Sequence, residues 1–304
     1  MAITINAALK RDLVLDRGMT ALKKKLAPIL AFATKFTDVP LQGTNKVVVP
    51  YYSLATGAST DFVPANGYVM SGNQTVGVKE VTVNKRKYRP FSFTSEEFSR
   101  QPFLSAAKLF DLEVDKLADD IITDVFSVVT AANYPGTTLA AQLASAFDLD
   151  DALAMRELCT KDYWPMAGRS LVLDTAPGLS LMKDSRLGFA NAQTTAQVTE
   201  GFPNIKIAGF TPIEVPNLPA NGAEKIMGMA VFPSALFFAS APIMPTPEVA
   251  RMIEFKKVTD PETGLTMVYR MWADADMDAT REVVEVSYGY AVGEAAALKR
   301  ITVP

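Results

Sequence analysis

The sequence predicts an α+β protein in which one long helix is flanked by antiparallel strands. Three observations carry this. Apolar residues at Leu104, Ala107, Phe110, Val114, Leu117, Ile121, Val125, Val128 and Ala132 recur in steps of three or four, the period of one helix face. Between residues 46 and 83, two valine-rich runs enclose a tip rich in Gly, Ser, Asn and Thr, the pattern of a long hairpin. Near the C-terminus, Thr266–Ala273 and Arg281–Tyr290 alternate as an antiparallel pair joined across Asp274–Thr280.

The long stripe predicts a helix over Phe103–Asn133, about eight turns and roughly 46 Å. Asp111, Glu113, Asp115, Lys116, Asp119, Asp120 and Asp124 occupy its other faces, so it has a wet side as well as a packed one. Pro102 suits its first turn, and Asn133-Tyr134-Pro135-Gly136 stops it. A helix of this length exceeds what core packing needs and reads as a spine.

Composition narrows the function classes. The 304 residues are 49% apolar with a net charge of −3, enough for a large core and without the basic excess of a nucleic-acid binder. Histidine is absent, which removes the commonest general base, triad partner and zinc ligand. The single cysteine, Cys159, excludes an internal disulfide framework. Met1–Leu9 lacks the features of a signal peptide. The uncharged run Ile226–Pro247 is long enough to span a bilayer, but Pro233, Pro242, Pro245 and Pro247 interrupt it, so it reads as buried strand and short helix.

In chain order, residues 9–32 read as an exposed arm with an amphipathic helix whose length Pro28 limits. Over residues 1–40, seven basic and three acidic side chains leave +4, and the remainder carries −7. Lys23, Lys24 and Lys25 would meet packaged nucleic acid or a partner's acidic face; the simpler reading is a solvated helix face. Lys46–Tyr52 and the run Val76, Val78, Val81, Val83 form the hairpin strands. A two-stranded hairpin buries no face alone, so a neighbouring subunit is its natural support.

The hairpin returns through Asn84-Lys85-Arg86-Lys87-Tyr88-Arg89. On a strand, Lys85 and Lys87 face one way and Arg86 and Tyr88 the other. Such a run grips phosphate, pairs with acids of another subunit, or is a solvated, edge-protecting strand, the last being the simplest. Thr94–Arg100 is a short helix with Glu97 as capping-box partner of Thr94. Phe147–Cys159 is another, its Asp148, Asp150 and Asp151 read as N-terminal capping groups in preference to a metal cluster. Leu171–Asp174 is a buried strand, Pro177–Asp184 starts a helix, and residues 188–201 read as a loop. Short strands follow around Ile205–Val215; Met229–Phe232 is a strand and Pro233–Ala239 a short helix.

Asp274, Asp276, Asp278 and Glu285 match calcium-loop positions, but Ala279 stands where the sharp-turn glycine belongs and the flanks read as strands. A hairpin turn is the preferred reading; a histidine-free metal enzyme built on these aspartates is the alternative. Nucleophile-elbow, phosphate-loop and dinucleotide motifs are absent. With no histidine to act as base, Cys159 reads as a structural thiol even beside Lys161.

Taken in order, these pieces resemble the major capsid proteins of tailed phages, the Hong Kong 97 fold. The local match is carried by Leu171-Val172-Leu173-Asp174, by the glycine-framed run from Gly201 to Phe210, and by Ile213-Glu214-Val215-Pro216-Asn217-Leu218-Pro219. The resemblance implies an N-terminal arm (1–40), an extended loop (41–89), and a peripheral domain (90–145 and 240–304) with spine helix 103–133. An axial domain over 146–239 completes it.

The implied function is self-assembly, through pentamers and hexamers, into an icosahedral shell around double-stranded DNA, without cofactor, metal or catalysis. Subunit contacts would come from Tyr51, Tyr52, Phe62, Tyr68, Lys85, Arg86, Lys87 and Arg89 of the extended loop and its base, with Lys23, Lys24 and Lys25 on the inner surface. Implied partners are other copies, the packaged DNA held weakly and non-specifically, and scaffolding, portal and decoration proteins, in a virion built in the host cytoplasm and without a membrane. The arm begins close to Met1, which implies a separate or removed scaffold. Asparagine is missing after Asn221, so the lysine–asparagine crosslink of some members lacks its C-terminal partner. An encapsulin-like compartment shares the fold and is the first rival; a tail or decoration protein is another.

Overall fold

The computed structural model describes residues 7–37, 46–52, 61–65, 67, 76–100, 103–136, 138–139, 143–184, 186, 206–216 and 218–303. In chain order the elements are α1 (Ala7–Phe32), β1 (Thr34–Thr37), β2 (Lys46–Tyr52), β3 (Val76–Thr82), β4 (Lys85–Thr94), α2 (Ser95–Arg100), α3 (Phe103–Phe126), α4 (Leu149–Lys161) and β5 (Ser170–Leu173). There follow α5 (Thr175–Met182), β6 (Thr211–Glu214), β7 (Ile226–Val231), β8 (Leu236–Ser240), α6 (Pro247–Met252), β9 (Glu254–Thr259), β10 (Thr266–Asp274), β11 (Ala279–Val292) and β12 (Leu298–Thr302). They form two compact units. The first comprises Met1–Val47, Val81–Val125 and Phe237–Ala291, the second Val48–Glu80, Phe126–Leu236 and Val292–Pro304.

The first unit is built on the sheet β1-β8-β11-β10-β9, with β4 along the other edge of β11. β10 and β11 form the expected hairpin, in register from Val268↔Glu285 to Asp274↔Ala279. β4 runs antiparallel to β11 from Lys85↔Tyr288 to Thr94↔Ala279. Within this unit α1 is a packed helix, not the exposed arm expected: Leu15, Met19, Leu22, Leu26, Ile29 and Leu30 are all buried. Nor does Pro28 end it. The helix continues to Phe32, because burying Ile29 and Leu30 offsets the cost of a proline in the last turns. Gly18 lies under the Phe110 ring, where any Cβ would collide with it, so the helices meet at a residue without a side chain.

The spine helix stops at Phe126, seven residues before the expected end at Asn133. Its apolar period continues through Val128 and Ala132, but the Phe126 carbonyl accepts from the Val129 amide in a tighter turn, and side chains take carbonyls at and just beyond the helix end. The Asn133 amide donates to the Val128 carbonyl, and the Asn221 amide donates to those of Phe126 and Val129. The short helix expected over Pro233–Ala239 is also corrected. A turn at Pro233-Ser234 leads into strand β8, whose five residues are all buried. Leu236-Phe237-Phe238 is too short for a stable helix and suits a central strand.

The second unit holds the sheet β12-β7-β5-β6, parallel between β5 and β6 and antiparallel elsewhere. Its core joins Phe147, Met155, Cys159 and Trp164 to Leu171, Leu173, Leu181, Phe210 and Ile301. Residues 298–302, expected with the peripheral strands, pair here with β7. Asp148 caps α4, accepting from the amides of Asp150 and Asp151 while Asp151 accepts from its own amide. This is the capping explanation of the three aspartates, and Arg186 pairs with Asp148 and Asp150. β2 and β3 form the expected two-stranded hairpin. The loop expected over 188–201, Ile205 and most of the hairpin tip lie outside the described residues.

Candidate functional site

The basic strand β4 meets the wet side of α3 within the first unit. Side chains on β4 alternate strictly between half-buried and exposed, placing Lys85, Lys87 and Arg89 on one face and Arg86 and Tyr88 on the other, as the strand period requires. The three inward cations reach the acidic stripe of the spine helix. Lys85 Nζ donates to both oxygens of Asp124 (2.8 and 2.9 Å) and to the Tyr290 hydroxyl (2.6 Å). Lys87 Nζ donates to the Asp120 carbonyl at 2.5 Å. The Arg89 guanidinium lies between Glu113 (3.7 Å) and Asp120 (3.5 Å).

Asp124 is the centre of this contact. Tyr288, buried on β11, donates its hydroxyl to Asp124 Oδ2 at 2.7 Å. Burial alone would raise the Asp124 pKa, but the hydrogen bonds from Lys85 and Tyr288 outweigh it and hold the carboxyl below its ordinary value. Burial likewise disfavours the Lys85 charge, and the bonds to Asp124 and Tyr290 overcome it, so the lysine sits above its ordinary value. Burial and then the bond to Asp124 push the Tyr288 hydroxyl well up. The Asp124–Lys85 pair is neutral overall and hydrogen-bonded to Tyr288 and Tyr290, an arrangement that rigidifies instead of ionising; the buried Arg89 Nε alongside makes no hydrogen bond among the described residues.

On the opposite face Arg86 pairs with Glu285, which is 1% exposed, and Arg270 donates to the same carboxylate at 2.8 Å. The sequence offered phosphate or another subunit's acids as partners for this run; its acids are the chain's own. Glu285, noticed only as the twelfth position of a calcium-like spacing, is committed to two arginines. Asp274 pairs with Arg281, and Asp278 turns the hairpin with a positive φ of 44° while accepting from the Ser95 hydroxyl. The four carboxylates therefore do not converge. Among the described residues no group of three metal-ligating side chains is gathered. The signal that could have located Glu285 was its place directly opposite Tyr88 in a strand pair.

The other anticipated site residues fall apart from this contact. Tyr51, half-buried on β2, lies across Gly77 on β3, where a Cβ would strike its ring. Tyr52 also belongs to β2. Val48, Val78 and Phe62 are exposed while Val49 and Val81 are buried, so the exposed side of the hairpin carries Val48 and Val78 beside Lys46, Pro50 and Glu80. Tyr68 lies outside the described residues. On α1, Lys23 pairs with Asp260 (3.3 Å) and Glu262 (2.5 Å), Lys25 stands 3.8 Å from Asp119, and Lys24 is exposed. Cys159 is buried, which pushes its thiol up to about 12; it is a structural residue.

No protein-family model matches the chain, and no curated protein matches it in sequence. Solved structures do match in shape. One from Mycobacterium phage Che8 shares 14% identity at a TM-score of 0.55, over 93% of this chain and 90% of that one. The capsid of Cyanophage P-SCSP1u shares 13% at 0.53, over 89% of each chain. The virus-like particle from Pyrococcus furiosus shares 9% at 0.52, over 93% of this chain and 95% of that one. The likeness spans nearly the whole of each chain, and with it the chain has the fold of the phage major capsid proteins that its order of elements resembles.

Proposed function

We propose that this chain is the shell subunit of a tailed phage, self-assembling through pentamers and hexamers into an icosahedral head around double-stranded DNA. The observation that carries the reading is the end-to-end likeness to the Cyanophage P-SCSP1u capsid. The hairpin adds a physical reason: β2 and β3 pair only with each other among the described residues, and they expose Val48 and Val78, a surface that a neighbouring copy would cover. In this reading 41–89 is the extended loop, 90–145 with 240–291 the peripheral domain, against which α1 of the N-terminal segment 1–40 packs, and 146–239 the axial domain, to which the C-terminal strand β12 adds through β7. The loop residues Tyr51, Tyr52, Phe62 and Tyr68 contact the next subunit. Lys85, Arg86 and Arg89 brace the root of that loop through ion pairs within their own chain, and Lys87 through its bond to the Asp120 carbonyl.

Negative-stain microscopy of the purified chain tests this. Closed, uniform particles are expected; a persistent monomer, or open tubes, refutes it. The shell is non-covalent, so boiling in detergent should return a single monomer band, and a ladder would overturn that point. Portal, scaffolding and decoration proteins would be the further partners. Assembly would take place in the host cytoplasm; among the described residues no helix is long and apolar enough to cross a membrane.

The likeness to the Pyrococcus furiosus virus-like particle favours a second reading, an encapsulin-like compartment. The contents of particles isolated from the native source separate the two: nucleic acid supports the head, and a single co-purifying enzyme supports the compartment.

A further inference from the structure

The excursion between β8 and β9 has little chain beneath it. Residues 241–246 carry no regular structure, and α6, which follows, buries none of its six residues. So short a helix is unstable in water by itself. It is held by the Thr246 cap on the Val249 amide and, one step earlier, by the Arg270 guanidinium donating to the Ile243 carbonyl at 2.9 Å. On this lobe Ile243 is 41%, Met244 62%, Val249 42% and Met252 80% exposed. A single exposed apolar side chain is ordinary, but four within ten residues of a surface lobe form a patch that calls for a cover. Val249 and Met252, three apart on the helix, share one face.

We infer that this lobe is a contact between copies of the chain, centred on Met244, Val249 and Met252; the inference rests on the shell reading above. The charges identify the occupant. α6 carries one acid, Glu248, and one base, Arg251, and among the described residues neither is ion-paired. The lobe is therefore neutral and self-complementary: when identical lobes meet about a symmetry axis, the base of each copy faces the acid of the next. Nucleic acid would require unopposed positive charge, which the lobe does not have. Methionine suits the task. Its unbranched thioether repacks at little cost, as a contact must when the same surface meets slightly different geometries in pentamers and hexamers.

Oxidation footprinting tests the contact. Dilute hydrogen peroxide transfers one oxygen to a methionine sulfur, leaving water, and is small enough to reach both sides of a shell. Assembled particles and the same chain dissociated in mild denaturant are treated in parallel, with an added methionine peptide as the clock. Sulfoxide formation at Met244 and Met252, read by peptide mass spectrometry, should be about ten-fold slower in particles. Equal rates in intact, closed particles overturn the inference and leave the shell reading standing. Failure of the chain to form particles or any oligomer overturns both.

Two variants make the contact chemical. Val249→Asp with Met252→Asp should leave the far-ultraviolet circular dichroism unchanged and abolish particles; normal particle yield would refute the contact. Arg251→Glu should lower the yield, and the double variant Glu248→Arg/Arg251→Glu should restore it. Restoration is what a copy-to-copy charge pair predicts and a merely structural helix does not; a double variant no better than the single one overturns the charge assignment.

Discussion

The Asn221 side chain closes the C-terminus of the spine helix. Its amide donates to the carbonyl of Phe126 at 3.2 Å and to that of Val129 at 2.5 Å, satisfying groups that a helix end leaves open. Asn221 itself has a positive φ of 51°, which asparagine tolerates better than most residues. Asn221→Gly keeps that backbone and removes only the amide, so urea unfolding should show a loss of about 1–2 kcal/mol. Asn221→Asp should cost more, because it sets a carboxylate against two carbonyl oxygens. A neutral glycine variant would show that the amide does not hold the helix end.

The Asp124 network sets a pH window. The Asp124 carboxyl is held below its ordinary value, so its contribution is complete above about pH 3.9 and is lost as the pH falls through the lower folded value. Lys85 is held above its ordinary value, and its contribution is complete below about pH 10.4 and is lost as the pH rises through the folded value. Tyr288, also raised, adds to the alkaline loss. Urea midpoints of Asp124→Asn should therefore vary less than those of the wild type at both extremes. Identical slopes in the two proteins would sink the assignment.

Gly289 passes beneath the root of the hairpin. A Cβ there would collide with the backbone carbonyl of Thr82 and the Cα of Val83, neither of which can rotate away. Gly289→Ala should cost about 2–3 kcal/mol or more, read as a lower urea midpoint. A variant as stable as the wild type would mean that the two segments are not held in contact.

Cys159 should be unreactive while the protein is folded. Its thiol, pushed up to about 12 by burial, carries almost no thiolate at pH 8. A colorimetric disulfide reagent should register no thiol at that pH until denaturant is added, and one per chain afterwards. Prompt labelling of the native protein would contradict the burial.

Much of the architecture was legible because it depends on near neighbours. The Thr94–Glu97 capping box forms as its spacing requires, with the Thr94 hydroxyl accepting from the Glu97 amide at 3.2 Å and the Thr94 amide donating back at 3.0 Å. Asp148 and Asp151 do the same for α4. The alternation of Lys85 to Arg89 correctly sorted those side chains onto two faces, and the order of elements pointed to the capsid-protein fold.

The errors share one origin: each depended on a residue distant in the chain. The apolar period of the spine ran past Phe126, and Asn221, 95 residues on, helps to close the helix there. Pro28 is a helix breaker by local rule, and the burial of its neighbours overrides that rule. Pro233–Ala239 is too short for its own period to distinguish strand from helix, and pairing with β1 decides it.

By itself the sequence determined the class of each long element, its caps and the faces it presents, because a repeat of two or 3.6 residues and an i-to-i+3 hydrogen bond are set by chain geometry. The tertiary structure alone decided where the spine ends, which acids neutralise the basic strand and which apolar side chains of residues 241–252 remain uncovered. Those outcomes are sums of contacts between residues far apart in sequence, and no local pattern encodes their partners.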